Sequence, residues 1–363
     1  MRINGHSHLL PYPEQIPKFM KDLEIFWIDE DRKYMLQKNW KRPVTDSSFF
    51  LNEKLEWMER NNIDHAVVLN LSQLYGNGLR VEEMKQVLRF QNDFNAEIQH
   101  DHPDKFTCGF VIHAGFVRSA LWEIERCVEK LNLSVLCLPT HFMDSIGTWR
   151  TIFDKDIEPI LELADRYKLA IEIHPYDGEK FINLQNTGWR FHLVWMLAQC
   201  ADAYHFYTLN GYHAKYPNIR VCFAHGGQLA QINLGRRIMG FDGRPDLFEG
   251  KMHPRKAVGH PNIYFDTLVH DTDSLELMVK RQGTDQIIMG LDDPYPLGEM
   301  ESEPQSSYPG KLLDLALERG LITEKQHKEI WEDNVLRWLG IDFNDDLRAR
   351  LKPDETITPK TPQ

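Results

Sequence analysis

Eight short runs rich in aliphatic, β-branched and aromatic residues recur along this chain, and amphipathic helical stretches separate them. The runs are Met1–Gly5, His65–Leu71, Phe106–Ile112, Ser134–Leu138, Ala170–Ile173, Ile219–Phe223, Ile263–Asp266 and Gln286–Met289. Between them Phe50–Asn61, Val81–His100, Ser119–Leu131 and Asp156–Tyr167 carry apolar residues at helical spacing. Alternation of this kind builds a parallel sheet from successive crossover units, and eight units favour a closed (β/α)8 TIM barrel over an open sheet. The 363 residues do not force a second domain, because α/β barrels reach this length as one unit.

The expected organisation is a single barrel domain over residues 1–351. Rim insertions are expected at about 9–45, 175–216 and 239–260, terminal helices at Leu312–Arg319 and Glu324–Leu339, and a disordered tail at 352–363. The three insertions follow the first, fifth and sixth strands, so they fall on the C-terminal rim, where barrel enzymes place their chemistry.

Charge removes some function classes. A formal net charge of -12 argues against a general nucleic-acid binder, since a phosphate backbone is repelled unless basic residues are concentrated. It leaves a small anionic ligand open, provided a few arginines converge. The five cysteines are odd in number, scattered and without Cys-x-x-Cys spacing, which reads as buried reduced thiols. No apolar stretch suits a signal peptide or a membrane span, so a cytoplasmic protein is expected.

His6 and His8 stand two apart on the first strand, where alternate residues point the same way. With 16 histidines in the chain, composition alone gives roughly 0.7 such pairs. Three further strand ends strengthen the case: Ile171-Glu-Ile-His174, Cys222-Phe-Ala-His225-Gly-Gly and Ile288-Met-Gly-Leu-Asp292-Asp293-Pro. A lone histidine or aspartate at a strand end is ordinarily structural. In a closed barrel, however, the ends of strands one, five, six and eight open onto one mouth. Imidazole and carboxylate together suit zinc, with iron or manganese as alternatives, and an open position would bind water and lower its pKa toward neutrality. On this reading His225 is either a ligand or a general base.

These motifs, with Gly240-Phe-Asp-Gly-Arg244-Pro-Asp246, Leu268-Val-His-Asp271 and Pro294-Tyr-Pro-Leu-Gly-Glu299, resemble the metal-dependent decarboxylase branch of the amidohydrolase superfamily over most of residues 1–340. The resemblance implies that His6, His8, His174 and Asp292 hold one zinc ion (Zn2+, with Mn2+ or Fe2+ as alternatives) and that His225 is the acid/base residue. It prefers Asp292 to Asp293, because the family aspartate lies two residues after the strand-ending glycine, here Gly290. It places Arg42, and Arg236 from the neighbouring subunit, on substrate carboxylates, which makes the active form a homodimer. The implied reaction is nonoxidative loss of CO2 from an unsaturated or aromatic acid, most closely an amino dicarboxylate semialdehyde of tryptophan and 3-hydroxyanthranilate catabolism, with no organic cofactor.

Two departures stand out. His192 falls where the family carries a pocket tryptophan, with Trp189 and Trp195 nearby, and Asn4 stands where an acidic residue commonly precedes the first histidine. His113 and His141 read as structural, and His270 lies near the site without assigned chemistry. A zinc hydrolase or hydratase on the same ligands, attacking an amide, lactone or imine, is the second reading. A noncatalytic metal-binding barrel is the third.

Overall fold

The computed structural model describes residues 1–38, 40–44, 47–175, 187–302 and 306–340. The expected tail at 352–363 and the first part of the 175–216 insertion lie outside them. Eight parallel strands form one sheet: β1 (Ile3–His8), β2 (His65–Leu69), β3 (Phe106–Val111), β4 (Val135–Pro139), β5 (Ala170–His174), β6 (Arg220–Phe223), β7 (Ile263–Asp266) and β8 (Ile287–Ile288), in sequential order. Each matches an expected run. β1 begins two residues later than expected and runs on to His8, which places both of its histidines on the strand.

The sheet closes because β1 and the segment after β8 bond to each other. Gly5 N donates to Met289 O at 2.7 Å, Asp292 N to His6 O at 2.9 Å, and His8 N to Asp293 O at 2.9 Å. Gly290 lets the two edges approach: a Cβ there would meet the Cβ atoms of Asp266 and His6 at 2.8 and 3.0 Å, closer than packing tolerates. The barrel is therefore a (β/α)8 TIM barrel whose seam lies beside its histidines.

Two apolar regions hold it. Inside the barrel Ile3, Val67, Val135, Ala170, Cys222 and Ile288 stack, and Trp338 of the last helix closes the lower end. Outside, strand residues such as Leu136, Ile171 and Phe223 pack on the helices. These include α1 (Leu51–Arg60), α2 (Val81–Asp101), α3 (Val117–Leu131) and α4 (Glu158–Arg166). All five cysteines are buried free thiols. Among the described residues no helix is long and apolar enough to cross a membrane.

The rim departs from expectation in three places. Residues 9–45 contain a three-stranded antiparallel sheet, Trp27–Ile28, Tyr34–Gln37 and Trp40–Pro43. The connection after β4 carries an unanticipated hairpin, His141–Met143 with Trp149–Thr151. The described part of the connection after β5 is helical: it holds a π-helical turn, Phe191–Trp195, that runs into α5 (Met196–Leu209). Most of α5 is buried, so it lacks the one-sided pattern by which a surface helix is recognised.

Candidate metal centre

Alternation along β1 sends His6 and His8 into the mouth, each about 1 % exposed, and turns Ser7 the other way. In His6, His8 and His174 the Nδ1 atom meets an oxygen acceptor. His6 Nδ1 lies 2.8 Å from Asp266 Oδ2, His174 Nδ1 2.8 Å from Pro175 O and His8 Nδ1 3.3 Å from Leu69 O. A proton on each Nδ1 satisfies these acceptors and leaves Nε2 with its lone pair free to bind a cation.

The Nε2 atoms converge. His6 and His8 approach to 3.2 Å through Nε2, and Asp292 Oδ1 lies 3.2 Å from His8 Nε2 and 3.6 Å from His6 Nε2. His6, His174, His225 and Asp292 offer ligand atoms all within 4.8 Å of one another. Tetrahedral bonds of about 2.0–2.1 Å put neighbouring ligand atoms about 3.3 Å apart, so the spacing suits a shared ion. His174 Nε2 is buried without a hydrogen-bond partner, which is costly unless something else satisfies it.

Electrostatics agree. Burial would pull the His6 imidazole down, but the Asp266 hydrogen bond and the charges of Asp292, Asp266 and Glu172 hold it up at about 9. Burial would raise Asp292, yet bonds from His225 and His8 and the charge of His6 keep it well below the usual carboxylate range. Burial and the surrounding imidazoles push His174 well below its ordinary value. A neutral His174 and an ionised Asp292 are the forms in which each can bind a cation.

His225 sits on a tight turn after β6, its φ of 56° followed by Gly226 and Gly227 at 59° and 50°. Asp266, ending β7, accepts the backbone N–H of His225 at 3.0 Å and of Gly226 at 2.7 Å, as well as the His6 ring. One carboxylate therefore orients a histidine of the cluster and the turn carrying His225. Sequence reasoning overlooked Asp266. It also overlooked Glu172, buried with Oε1 4.0 Å from His6 Nδ1, whose carboxyl burial holds well above its usual range.

Asp292 and Asp293 separate clearly. Asp292 faces the cluster, with Oδ2 3.8 Å from His225 Nε2. Asp293 turns away and pairs with the fully buried Lys54.

The cluster opens into a cavity of about 290 Å³ that Arg42, His174, His192, His225, Asp292 and Tyr295 help to line. Arg42 comes from the rim sheet, its guanidinium carbon 4.8 Å above the Tyr295 ring. His192 stacks on Trp189 with ring centroids 4.8 Å apart. His270 also borders the cavity, whereas His113 borders a different one and His141 pairs with Asp202. Arg236 does not join this cavity; it is exposed on α6 (Leu234–Gly243).

With fold and site in view, the chain belongs to the amidohydrolase family, which matches residues 5–341. Among named proteins it groups with metal-dependent decarboxylases of that superfamily. A 2-amino-3-carboxymuconate-6-semialdehyde decarboxylase from Dictyostelium discoideum is 26% identical, the match covering 95% of this chain and 93% of that protein. A solved 5-carboxyvanillate decarboxylase from Sphingomonas paucimobilis superposes with a TM-score of 0.72 at 17% identity, covering 94% of this chain and 99% of that one. A dihydroxybenzoic acid decarboxylase from Polaromonas, solved with bound manganese, has a TM-score of 0.68 at 16% identity and covers 93% and 96%.

Proposed function

We propose that this chain is a zinc-dependent nonoxidative decarboxylase of a small unsaturated carboxylic acid, with 2-amino-3-carboxymuconate 6-semialdehyde of tryptophan breakdown as its substrate. The observation that carries the reading is the approach of His6, His8 and Asp292 to 3.2–3.6 Å through their ligand atoms, with His174 Nε2 buried beside them without a hydrogen-bond partner, on a cavity that Arg42 and His225 also line. The 26% identical relative supports the particular substrate.

His6, His8, His174 and Asp292 would hold the ion. When bound, a divalent cation supplies Lewis-acid polarisation of a substrate oxygen or of water. Arg42 binds a substrate carboxylate through its guanidinium fork, which stacking on Tyr295 keeps turned into the cavity. As the carbon–carbon bond breaks, its electron pair stays on the substrate carbon and CO2 departs. That carbon must then gain a proton, and His225, at the cavity wall, is the group to deliver it.

The proposed active form is a homodimer in which Arg236 completes the partner's pocket. In support, Arg236 is exposed and makes no ion pair among the described residues, while Ile232 and Met239 beside it are 65% and 73% exposed. Apolar surface of this kind favours a subunit contact.

The direct test offers freshly generated semialdehyde to the zinc-loaded protein and follows its absorbance together with released CO2. Equimolar CO2, abolished by chelation and restored by zinc, is expected. Consumption of substrate without CO2 would assign a hydratase or hydrolase instead.

A further inference from the structure

Lys54 is the point of interest, because a lysine at 0% exposure demands a reason. It stands on α1 behind the seam between β1 and the segment after β8. Its ammonium donates to Ser7 Oγ at 3.0 Å and pairs with Asp293 Oδ2. Ser7 Oγ in turn donates to Asp293 Oδ2 at 3.1 Å. The other Asp293 oxygen accepts from Asn4 Nδ2, and Asn4 Oδ1 accepts the backbone N–H of His6 at 3.1 Å and of Leu291 at 3.0 Å.

The placement is what matters. Ser7 lies between His6 and His8, and Asp293 follows Asp292, whose backbone is held in the left-handed region at φ 49°. Because side chains alternate, whatever grips Ser7 from outside fixes the direction in which its neighbours point inward. An aspartate at positive φ persists only where its surroundings enforce that conformation. A single buried ammonium thus grips both cluster-bearing segments from the rear, and the carboxylate it needs comes from position 293 while position 4 is an asparagine.

We propose that Lys54, acting through Asp293, Ser7 and Asn4, is a positioning residue that sets the geometry of the cation site without touching the cation. The inference rests on the reading of His6, His8 and Asp292 as metal ligands. A salt bridge kept only for stability would be dispensable, since buried ion pairs are often replaced by apolar residues of similar volume at no loss. A positioning pair would not be.

The experiment compares the metal-free parent with Lys54→Arg, Ser7→Ala and the double variant Lys54→Met/Asp293→Leu. Each is titrated with Mn2+ alone and with Zn2+ against a chelator, and each is melted without metal. The double variant removes the ion pair together with the acceptor of Asn4 and Ser7, and where it folds it should bind either ion about 10- to 100-fold more weakly, the effect typical of losing partners that orient metal ligands. Lys54→Arg should restore most of the affinity. Ser7→Ala, which keeps the ion pair and removes one link, should weaken binding about three- to tenfold and decides the matter if the double variant does not fold. Unchanged metal affinity in the folded double variant, or in Ser7→Ala if the double variant fails to fold, overturns the proposal. A parent that binds neither ion would instead overturn the metal-site reading itself.

Discussion

His225 and Asp292 face each other across 3.8 Å, yet losing one should not resemble losing the other. Replacing His225 with alanine removes a proton carrier at the cavity wall. Turnover should fall by about 10²- to 10⁴-fold with metal content near that of the parent. Asp292→Ala should instead empty the site, seen as lost metal by elemental analysis; normal turnover in the first variant would reject the role given to His225. Asp266 offers a third test. Its oxygens accept from the His6 ring and from two backbone N–H groups of the His225 turn, and an amide nitrogen would oppose one of these donors. Asp266→Asn should therefore weaken metal binding about 10- to 100-fold, read by chelator competition. His6 and His8 are legible in the sequence because their spacing matches the strand period. Asp266 is not, since an aspartate ending a strand looks like a cap until the chain brings it back to a histidine 260 positions earlier. Asp292 and Asp293 are adjacent and chemically identical; the spacing from Gly290 singles out Asp292 through the family resemblance alone, and the physical reason, that Lys54, Ser7 and Asn4 hold Asp293 away from the cluster, involves residues remote in sequence. Glu172 did leave a signal: a carboxylate in an otherwise apolar strand, two residues before His174.

Among the elements, the strands were readable because each is a short apolar run with clear breaks. The C-terminal helices were less so. Glu324–Leu339 reads as one helix but divides into α8 (Glu324–Trp331) and α9 (Asp333–Leu339), having bent at Glu332, whose carboxylate reaches the Met1 ammonium at 2.7 Å. No glycine or proline announces that bend; a contact with the first residue of the sequence, Met1, accompanies it. The segment after β8 shows the same dependence on distant partners. Glu299 N donates to Leu291 O at 2.8 Å, and its half-buried carboxylate accepts from Gly310 N at 2.8 Å, just before α7 (Lys311–Glu318). Burial pushes this carboxyl up to about 7, against the bonds from Gly310 and Leu312. The folded state thus holds the proton more tightly than the unfolded chain, so this contribution to stability is full below about pH 4.5 and is lost as pH rises through 7. Glu299→Gln cannot titrate. From pH 5 to pH 8 the parent should lose up to roughly 3 kcal/mol relative to this variant, measured by urea unfolding. Parallel pH profiles would show that Glu299 is solvated like an ordinary carboxylate.

At the scale of the whole molecule, one chain supplies the cation cluster and His225 from its barrel and Arg42 from its rim sheet, whereas Arg236 stays outside its own cavity. If Arg236 serves the partner, an Arg42 variant and an Arg236 variant are each inactive for a different reason. Mixed after dissociation, they would form heterodimers in which one pocket has both defects and the other has neither. Random pairing gives heterodimers about half the time, and one pocket in two is then intact, so about one quarter of parental activity should return. Two variants of Arg42 mixed in the same way should recover nothing. Absence of rescue, with subunit exchange verified by mass, would place Arg236 outside the active site and leave Arg42 as the cavity's own carboxylate anchor. Recovery near one quarter would show that a chain folding into a closed barrel still depends on a second copy for its chemistry.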